Sequence, residues 1–414
     1  MPDGSPADHT RQTAIFIQFS DLCLTDDRST RDYYLRSYAR MAGYNLPRHF
    51  MEIPYWIPTI ASMLPDHAYE KELLIIEDVP GACRDLLART DDPILFMSVM
   101  DASLTQSHEV IAVGLETIIG GYTDPAGFAD LANVTYCHGI NNLMAALNHV
   151  IPSPPCLDYR LFEGFACIPR LSLSSGCSFR CAFCTVPTKL VTATEERLLA
   201  DVDALSVLSY ELIFVDDKSF GQASNWRLLA KVRDMICDRS NEFYGFIVQT
   251  PPSIAARPGF LEACYELGVR YVEFGVETVD DALLKWLQKP FSVKHLHRAC
   301  SIARDLGMYI IPNLIIGIPG DTYSGSIAWL EDNVDIIPVM NVNWLSVHHG
   351  NDRGSLDLPD NGIADRDQNA SSKTWLSPTE EARGHRAIAQ CYDITDSYWQ
   401  GRSVDLQPLT MAHA

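Results

Sequence analysis

The chain has 414 residues, 47% of them hydrophobic and 21% charged, which excludes a disordered polypeptide and allows two or three domains. Its 32 Lys and Arg against 53 Asp and Glu leave a formal charge of −21, and no stretch is rich in basic side chains, which argues against a nucleic-acid partner because phosphate contacts supply most of that affinity. No apolar run reaches the roughly 18–20 residues of a membrane span, and Met1–Thr13 is polar rather than a signal peptide, so the expectation is a soluble, cytoplasmic protein with no membrane contact.

After a tail over residues 1–12, short apolar runs alternate with helical segments. Strands are predicted at Ala14–Phe19, Leu73–Ile76, Ile94–Met100, Thr117–Ile119 and Val134–Tyr136, and helices at Arg31–Met41, Gly81–Arg89, Leu104–Leu115 and Asn142–Val150. That alternation predicts a Rossmann-like parallel sheet over residues 13–150, with ligands at its carboxyl edge, where Gly120-Gly121 ends a strand. The proline-rich run Ile151-Pro-Ser-Pro-Pro-Cys156 opens a linker over residues 151–159.

A second series follows over residues 160–350, with strands predicted at Ile168–Leu173, Leu212–Val215, Gly245–Gln249, Tyr271–Gly275, Ile310–Ile316 and Val342–Val347. Thr192-Ala-Thr-Glu195 reads as a capping box opening one crossover helix, and Ser292 caps another over Val293–Leu306 that Gly307 closes. Six strands with crossover helices predict a partial (β/α)6 barrel, so the fold class is α/β in two sheets, with chemistry at the strand carboxyl ends. Residues 351–414 form a loop rich in Asp, Asn and Gly, then a helix capped by Ser377-Pro-Thr-Glu380 and running to about Tyr398. His348 and His349 follow the last strand, where an acid–base or ligand role competes with a plain surface pair. Trp344 on that strand reads as core.

Twelve cysteines are too few for a disulfide scaffold in a chain of this length. Nine are scattered and read as small buried hydrophobes or inert thiols, whereas Cys177, Cys181 and Cys184 cluster in Ser175-Gly-Cys-Ser-Phe-Arg-Cys-Ala-Phe-Cys-Thr185, directly after the first barrel strand. Three thiolates can ligate three irons of a cubane 4Fe–4S cluster and leave one iron open. A structural zinc site would need a fourth Cys or His at matching spacing, and none lies nearby in the sequence.

This spacing resembles the radical S-adenosylmethionine (radical SAM) superfamily. The resemblance implies that the open iron is chelated by S-adenosylmethionine, that Phe183 contacts its adenine, and that Asp216 or Asp217 in Phe214-Val-Asp-Asp-Lys-Ser-Phe220 holds the methionine ammonium. It likewise implies that Glu277 in Glu273-Phe-Gly-Val-Glu-Thr278 contacts the nucleoside or the methionine part, and that Gly317 in Leu314-Ile-Ile-Gly-Ile-Pro-Gly-Asp-Thr322 brings backbone close to the adenine. These segments cover about residues 167–335. Ile118-Ile-Gly120-Gly121-Tyr-Thr-Asp-Pro125 and Val134-Thr-Tyr-Cys-His138-Gly139-Ile140 look like the end of a cobalamin-binding domain, although the Asp-x-His-x-x-Gly signature and the usual Gly-Glu-Gly element are absent. The domain then either retains cobalamin, or is vestigial with side chains such as Tyr122 and His138 filling the cleft.

The implied activity is formation of a 5′-deoxyadenosyl radical that takes hydrogen from a small biosynthetic intermediate, with an external reductant such as flavodoxin or ferredoxin. With cobalamin the outcome is C-methylation; without it, cyclisation, rearrangement or dehydrogenation. Two other classes compete. An RNA methylthiotransferase would carry further cluster cysteines and a basic C-terminal module, and a non-catalytic cobalamin or cluster sensor would not need every nucleotide-side segment. The Gly120-Gly121 edge is expected to face the barrel mouth, because sheet and barrel sites both lie at strand carboxyl ends and the short linker makes the domains neighbours.

Overall fold

A computed structural model describes residues 11–20, 28–44, 53–100, 103–121, 125–147, 157–240, 242–345, 356 and 375–410. Tyr122, His348, His349, the run 151–156 and nearly all of the loop 351–369 lie outside the described residues.

Five strands, β1 (Gln12–Phe19), β2 (Tyr69–Ile76), β3 (Ile94–Val99), β4 (Thr117–Gly121) and β5 (Val134–Tyr136), pair in the order β2-β1-β3-β4-β5, every pair parallel. Their period-2 alternation separates two cores. Ile15, Ile17, Leu95, Met97 and Ile119 bury one face under helices α3 (Val79–Leu87) and α4 (Leu104–Ile111). Ala14, Phe16, Ile94, Phe96 and Ile118 face the other way, onto α2 (Trp56–Met63) and α5 (Ile140–Ala146), in a cluster that continues through Tyr159 and Phe162 into the second sheet. Neither α2 nor its place between the sheets is legible in the sequence, because Trp56-Ile-Pro-Thr-Ile reads as a loop with a proline in it. Helix α1 (Arg28–Tyr38) leaves the first sheet altogether and stacks Tyr33 on Tyr392, ring centroids 3.9 Å apart.

The second sheet is a six-stranded parallel half-barrel. Strands β6 (Arg170–Leu171), β9 (Leu212–Val215), β10 (Gly245–Gln249), β11 (Val269–Glu277), β12 (Tyr309–Ile316) and β13 (Asn341–Trp344) pair in the order β13-β12-β11-β10-β9-β6. A two-residue antiparallel pair, β7 (Ser174–Ser175) with β8 (Val191–Thr192), ties off the loop between β6 and β9. Crossover helices cover the outer face, among them α6 (Glu195–Ala204), α11 (Val293–Asp305) and α12 (Ser324–Asn333). The cap of α6 is Thr194, whose side chain accepts from the Arg197 amide, two residues later than the sequence reading. Ser292 caps α11 as expected, with His295 completing the box.

Tyr271, Tyr309, Leu212 and Ile168 close the amino end of the half-barrel together with Trp399 and Val404. Trp399 ends the long C-terminal helix α13 (Pro378–Trp399), which starts at the Ser377/Glu380 box as expected. None of the helices among the described residues is long and apolar enough to cross a membrane.

Candidate active site

The cysteine loop leaves β7 at Gly176, whose φ of +82° and crowding against the Lys189 carbonyl (2.1 Å from a hypothetical Cβ) permit only glycine. Backbone bonds then fix the three thiols. The Cys177 amide donates to the Pro187 carbonyl (2.9 Å), the Ala182 amide to the Leu287 carbonyl (2.9 Å), and the Cys184 amide to the Cys181 carbonyl (3.1 Å). Gln222 clasps the loop from outside: its Oε1 accepts from the Ser178 amide (3.0 Å) and its Nε2 lies 3.9 Å from Cys177 Sγ. Nothing in the spacing singled Gln222 out.

All three cysteines are half-buried and line one cavity of about 1000 Å³ at the carboxyl end of the half-barrel. Burial pushes the Cys181 thiol up to about 11, with the Lys289 ammonium working against that shift. Among the described residues no three His, Cys, Asp or Glu side chains are arranged to hold a single metal ion. Three thiols on one loop face one cavity, the number of protein ligands that a cubane cluster with one open iron takes.

Glu277 lines the same cavity. It sits past a bulge at which β11 gains a residue on β12, with φ at +62°, a strained position for a non-glycine residue. Its carboxylate is held 2.7 Å from Lys289 Nζ, and both side chains are only 8% exposed. Gly275 makes room for this pair, since a Cβ there would lie 2.7 Å from Glu277 Oε1 and 3.1 Å from Lys289 Nζ. Burial alone would lower the Lys289 ammonium, but Glu277 and the Cys181 thiol outweigh it and hold it above its usual value. Lys289 Nζ also lies 5.6 Å from the ring centroid of Phe183, which lines the cavity too.

The two adjacent aspartates part company. Asp216 lines the cavity, paired with Arg170 (2.9 Å) and Lys218 (2.7 Å). Asp217 does not reach it: fully buried, its carboxylate accepts from the Leu173 and Ser174 amides (2.8 Å each) and the Ser174 hydroxyl (2.6 Å), so it anchors the turn before the cysteine loop. The expectation of a ligand role for Asp217 is corrected accordingly. Gly317 is likewise displaced from the expected role. A Cβ on it would meet Trp344 (3.2 Å) and Leu376 (3.3 Å), and its carbonyl accepts from Trp375 Nε1 (2.8 Å), so the C-terminal segment covers it and Ile315 lines the cavity instead. Trp344 packs on Gly317 and Gly384 and also reaches the cavity wall.

Deeper in the half-barrel the cavity floor is polar in a way the motifs did not signal. Glu273 Oε1 accepts from Asn313 Nδ2 (2.6 Å), and Asn313 Oδ1 accepts from Asn341 Nδ2 (2.7 Å), between apolar walls of Phe214, Ile247 and Ile311. Burial raises the Glu273 carboxyl, against the Asn313 hydrogen bond and the charge of Arg170. The available signal was periodicity: Glu273, Gly275 and Glu277 alternate on β11 and all face inward.

In the first sheet, Gly120 and Gly121 line a separate slot of about 150 Å³ with Trp56, Ile118, Gly139 and Leu143. Only glycine fits at 121, where φ is +120° and a Cβ would lie 2.0 Å from the Val99 carbonyl. His138 is exposed and does not fill the slot. Met100, directly after β3 and so beside Gly121, lines the large cavity with the cysteines, and the carboxyl edge of the first sheet thus faces the barrel mouth.

Residues 171–328 match the family model described as the radical SAM superfamily. A relative in Elusimicrobium minutum (strain Pei191), the ribosomal protein uS12 methylthiotransferase RimO, is 22% identical over 162 residues, 37% of this chain and 38% of that one. The match thus spans well under half the length of that relative. The fold resembles the radical S-adenosylmethionine methyltransferase TsrM from Kitasatospora setae, solved with cobalamin and a 4Fe–4S cluster bound, at 12% identity and a TM-score of 0.53 over 82% of this chain and 76% of that one. It also resembles the cobalamin-dependent S-adenosylmethionine radical enzyme OxsB in its apo form, at 14% identity and a TM-score of 0.52 over 79% of this chain and 52% of that one.

Proposed function

Since the chain belongs to the radical SAM superfamily, with a sheet of cobalamin-binding-like fold before its barrel, we propose that it holds one 4Fe–4S cluster on Cys177, Cys181 and Cys184 and takes hydrogen from a carbon of a small biosynthetic intermediate. The observation that carries this reading is the convergence of the three thiols, Phe183, Asp216 and the Glu277–Lys289 pair on one cavity. Cys177, Cys181 and Cys184 would hold the cluster, which would supply the one electron that divides S-adenosylmethionine at a carbon–sulfur bond into methionine and a 5′-deoxyadenosyl radical. The side chains of this chain do the positioning. Phe183 offers an aromatic face to adenine, Asp216 an acceptor for the methionine ammonium, Glu277 acceptors for hydroxyl or ammonium groups, and Lys289 a cation for a carboxylate. The electron comes from an external donor of the flavodoxin or ferredoxin kind.

We read the outcome as methyl transfer from cobalamin to the substrate carbon. What supports it is the open slot at Gly120-Gly121: apolar, lined by glycines and about 150 Å³ in volume, room for a small appended group of a corrinoid rather than for the macrocycle. The resemblance to TsrM and OxsB runs through this sheet as well as the barrel. Cyclisation or dehydrogenation without cobalamin is the reading that remains if the slot takes no corrinoid.

One experiment tests both levels. Protein reconstituted anaerobically with iron and sulfide is expected to bind about four irons, to release 5′-deoxyadenosine on reduction with S-adenosylmethionine, and to shift the absorbance of hydroxocobalamin on titration. The triple variant Cys177→Ala, Cys181→Ala, Cys184→Ala should lose the irons and the 5′-deoxyadenosine. Iron retained by that variant sinks the cluster assignment, and an unmoved corrinoid spectrum at micromolar protein sinks methyl transfer alone.

A further inference from the structure

We propose that the floor of the large cavity is the subsite for a cationic nitrogen of the substrate, recognised by Glu273, so that the substrate class is amines carrying an apolar portion. The inference rests on the radical SAM reading for the identity of the cavity and goes beyond it in naming what the floor binds.

Hydrogen-bond polarity carries the argument. Asn341 donates to Asn313 and Asn313 donates to Glu273, so the chain of amides ends on an acceptor and fixes its orientation. Glu273 Oε2 receives none of these bonds, and the residue lines the cavity. Charge pairing points the same way. Four charged groups share this region, but Arg170 and Lys218 both pair with Asp216, and among the described residues no Lys, Arg or His makes an ion pair with Glu273. Glu273 is half-buried on the cavity wall, and the two cations near it are both engaged by Asp216, so a ligand ammonium would give its free carboxylate oxygen a direct ion pair. Phe214, Ile247 and Ile311 beside it would take the apolar part.

The ammonium of S-adenosylmethionine is assigned to Asp216, and Glu273 stands level with Asp216 in the sheet but two strands away, β9 to β11, about 10 Å across at about 4.8 Å per strand, while the cysteines stand at the carboxyl end. The floor and the cluster loop thus bracket a space in which the radical-forming end and the substrate's charged end are held apart.

The test uses cluster-reconstituted protein saturated with S-adenosylmethionine and without reductant, titrated calorimetrically with 2-phenylethylamine and with its neutral counterpart 2-phenylethanol at neutral pH. The amine is expected to bind at least tenfold more tightly than the alcohol, and Glu273→Gln should bring the ratio close to one. Asn313→Ser, which removes the donor that orients Glu273, should reduce the preference and serves if Glu273→Gln does not fold. Equal affinity of the wild type for the two probes overturns the proposal, as does an amine preference that survives Glu273→Gln, or displacement of the amine by S-adenosylmethionine. Release of 5′-deoxyadenosine after reduction, measured on the same samples, reports on the radical reading separately: its absence with the amine preference intact, or the reverse, shows which of the two has failed.

Discussion

Single residues at this site are fixed by what surrounds them more than by their own chemistry. Lys289 and Glu277 are each 8% exposed and 2.7 Å apart, and removing one charge strands the other away from water. Lys289→Met is expected to cost about 3 kcal/mol in denaturant unfolding, and the double variant with Glu277→Gln to recover most of it, because a broken buried pair is worse than none. The cysteines, read from their spacing, and Glu277, read from the resemblance of its strand segment, line one cavity. Asp216 and Asp217 were not separable, for a physical reason: successive strand residues point to opposite faces, so one of two adjacent aspartates faces the cavity and the other the shell. Which is which depends on register against β6, where Arg170 pairs with Phe214 and so brings its guanidinium to Asp216. Gly317 failed differently. Its cover, Trp375 and Leu376, comes from some sixty residues further on, and no local pattern encodes a contact that distant.

A capping box fixed the start of the C-terminal helix, while α1, α3, α4 and α5 were found from their apolar spacing without one and α2 was missed. Ser377 accepts from the Glu380 amide while Glu380 accepts from the Ser377 amide (2.9 Å), and α13 begins where that box places it. Ser377→Ala is expected to cost about 1 kcal/mol of stability. Its effect should reach the active site, because the uncapped turn carries Trp375 and Leu376, which pack with Phe183, Ile315 and Leu345. Indole fluorescence of Trp375 should therefore change before global unfolding in a denaturant titration of the variant, whereas coincident transitions would show that the cap acts on the whole fold. The β7–β8 pair is two residues a side and has no periodicity to read, yet it closes the cysteine loop. Most strands of five residues or more were found to within two residues of each end, since an apolar run of that length is too short for a buried helix, but β2 begins four residues before the predicted Leu73 because Glu70, Lys71 and Glu72 interrupt its apolar run.

The molecule as a whole is joined at two places of different character. At one, Lys71, only 8% exposed, contacts Asp66 (2.8 Å) and Asp158 (3.5 Å), and Arg160 grips the same two carboxylates, tying the first sheet to the segment that enters the second. At the other, α1 crosses to α13: Arg36 and Arg40 pair with Asp396, the Met340 amide donates to the Tyr33 hydroxyl (3.2 Å), and Tyr38 lines the large cavity. The alternation of strands and helices announced two sheets, but α1 read only as a helix of the first; that it serves the second follows from partners more than three hundred residues away. This second joint sets a clock on synthesis. At roughly 5–20 residues per second a ribosome needs on the order of tens of seconds to go from Tyr33 to Tyr392, and until then α1 lacks the Tyr392 stack and the Asp396 ion pairs that hold it. Ribosome-bound chains halted before α13 should be cleaved by protease within residues 28–44, and chains extended past Leu409 should resist, because Val404 and Leu409 bond back to the carbonyls of Arg40 and Phe243. The half-barrel thus gains the full support of α1 only once α13 and the segment to Leu409 have been made.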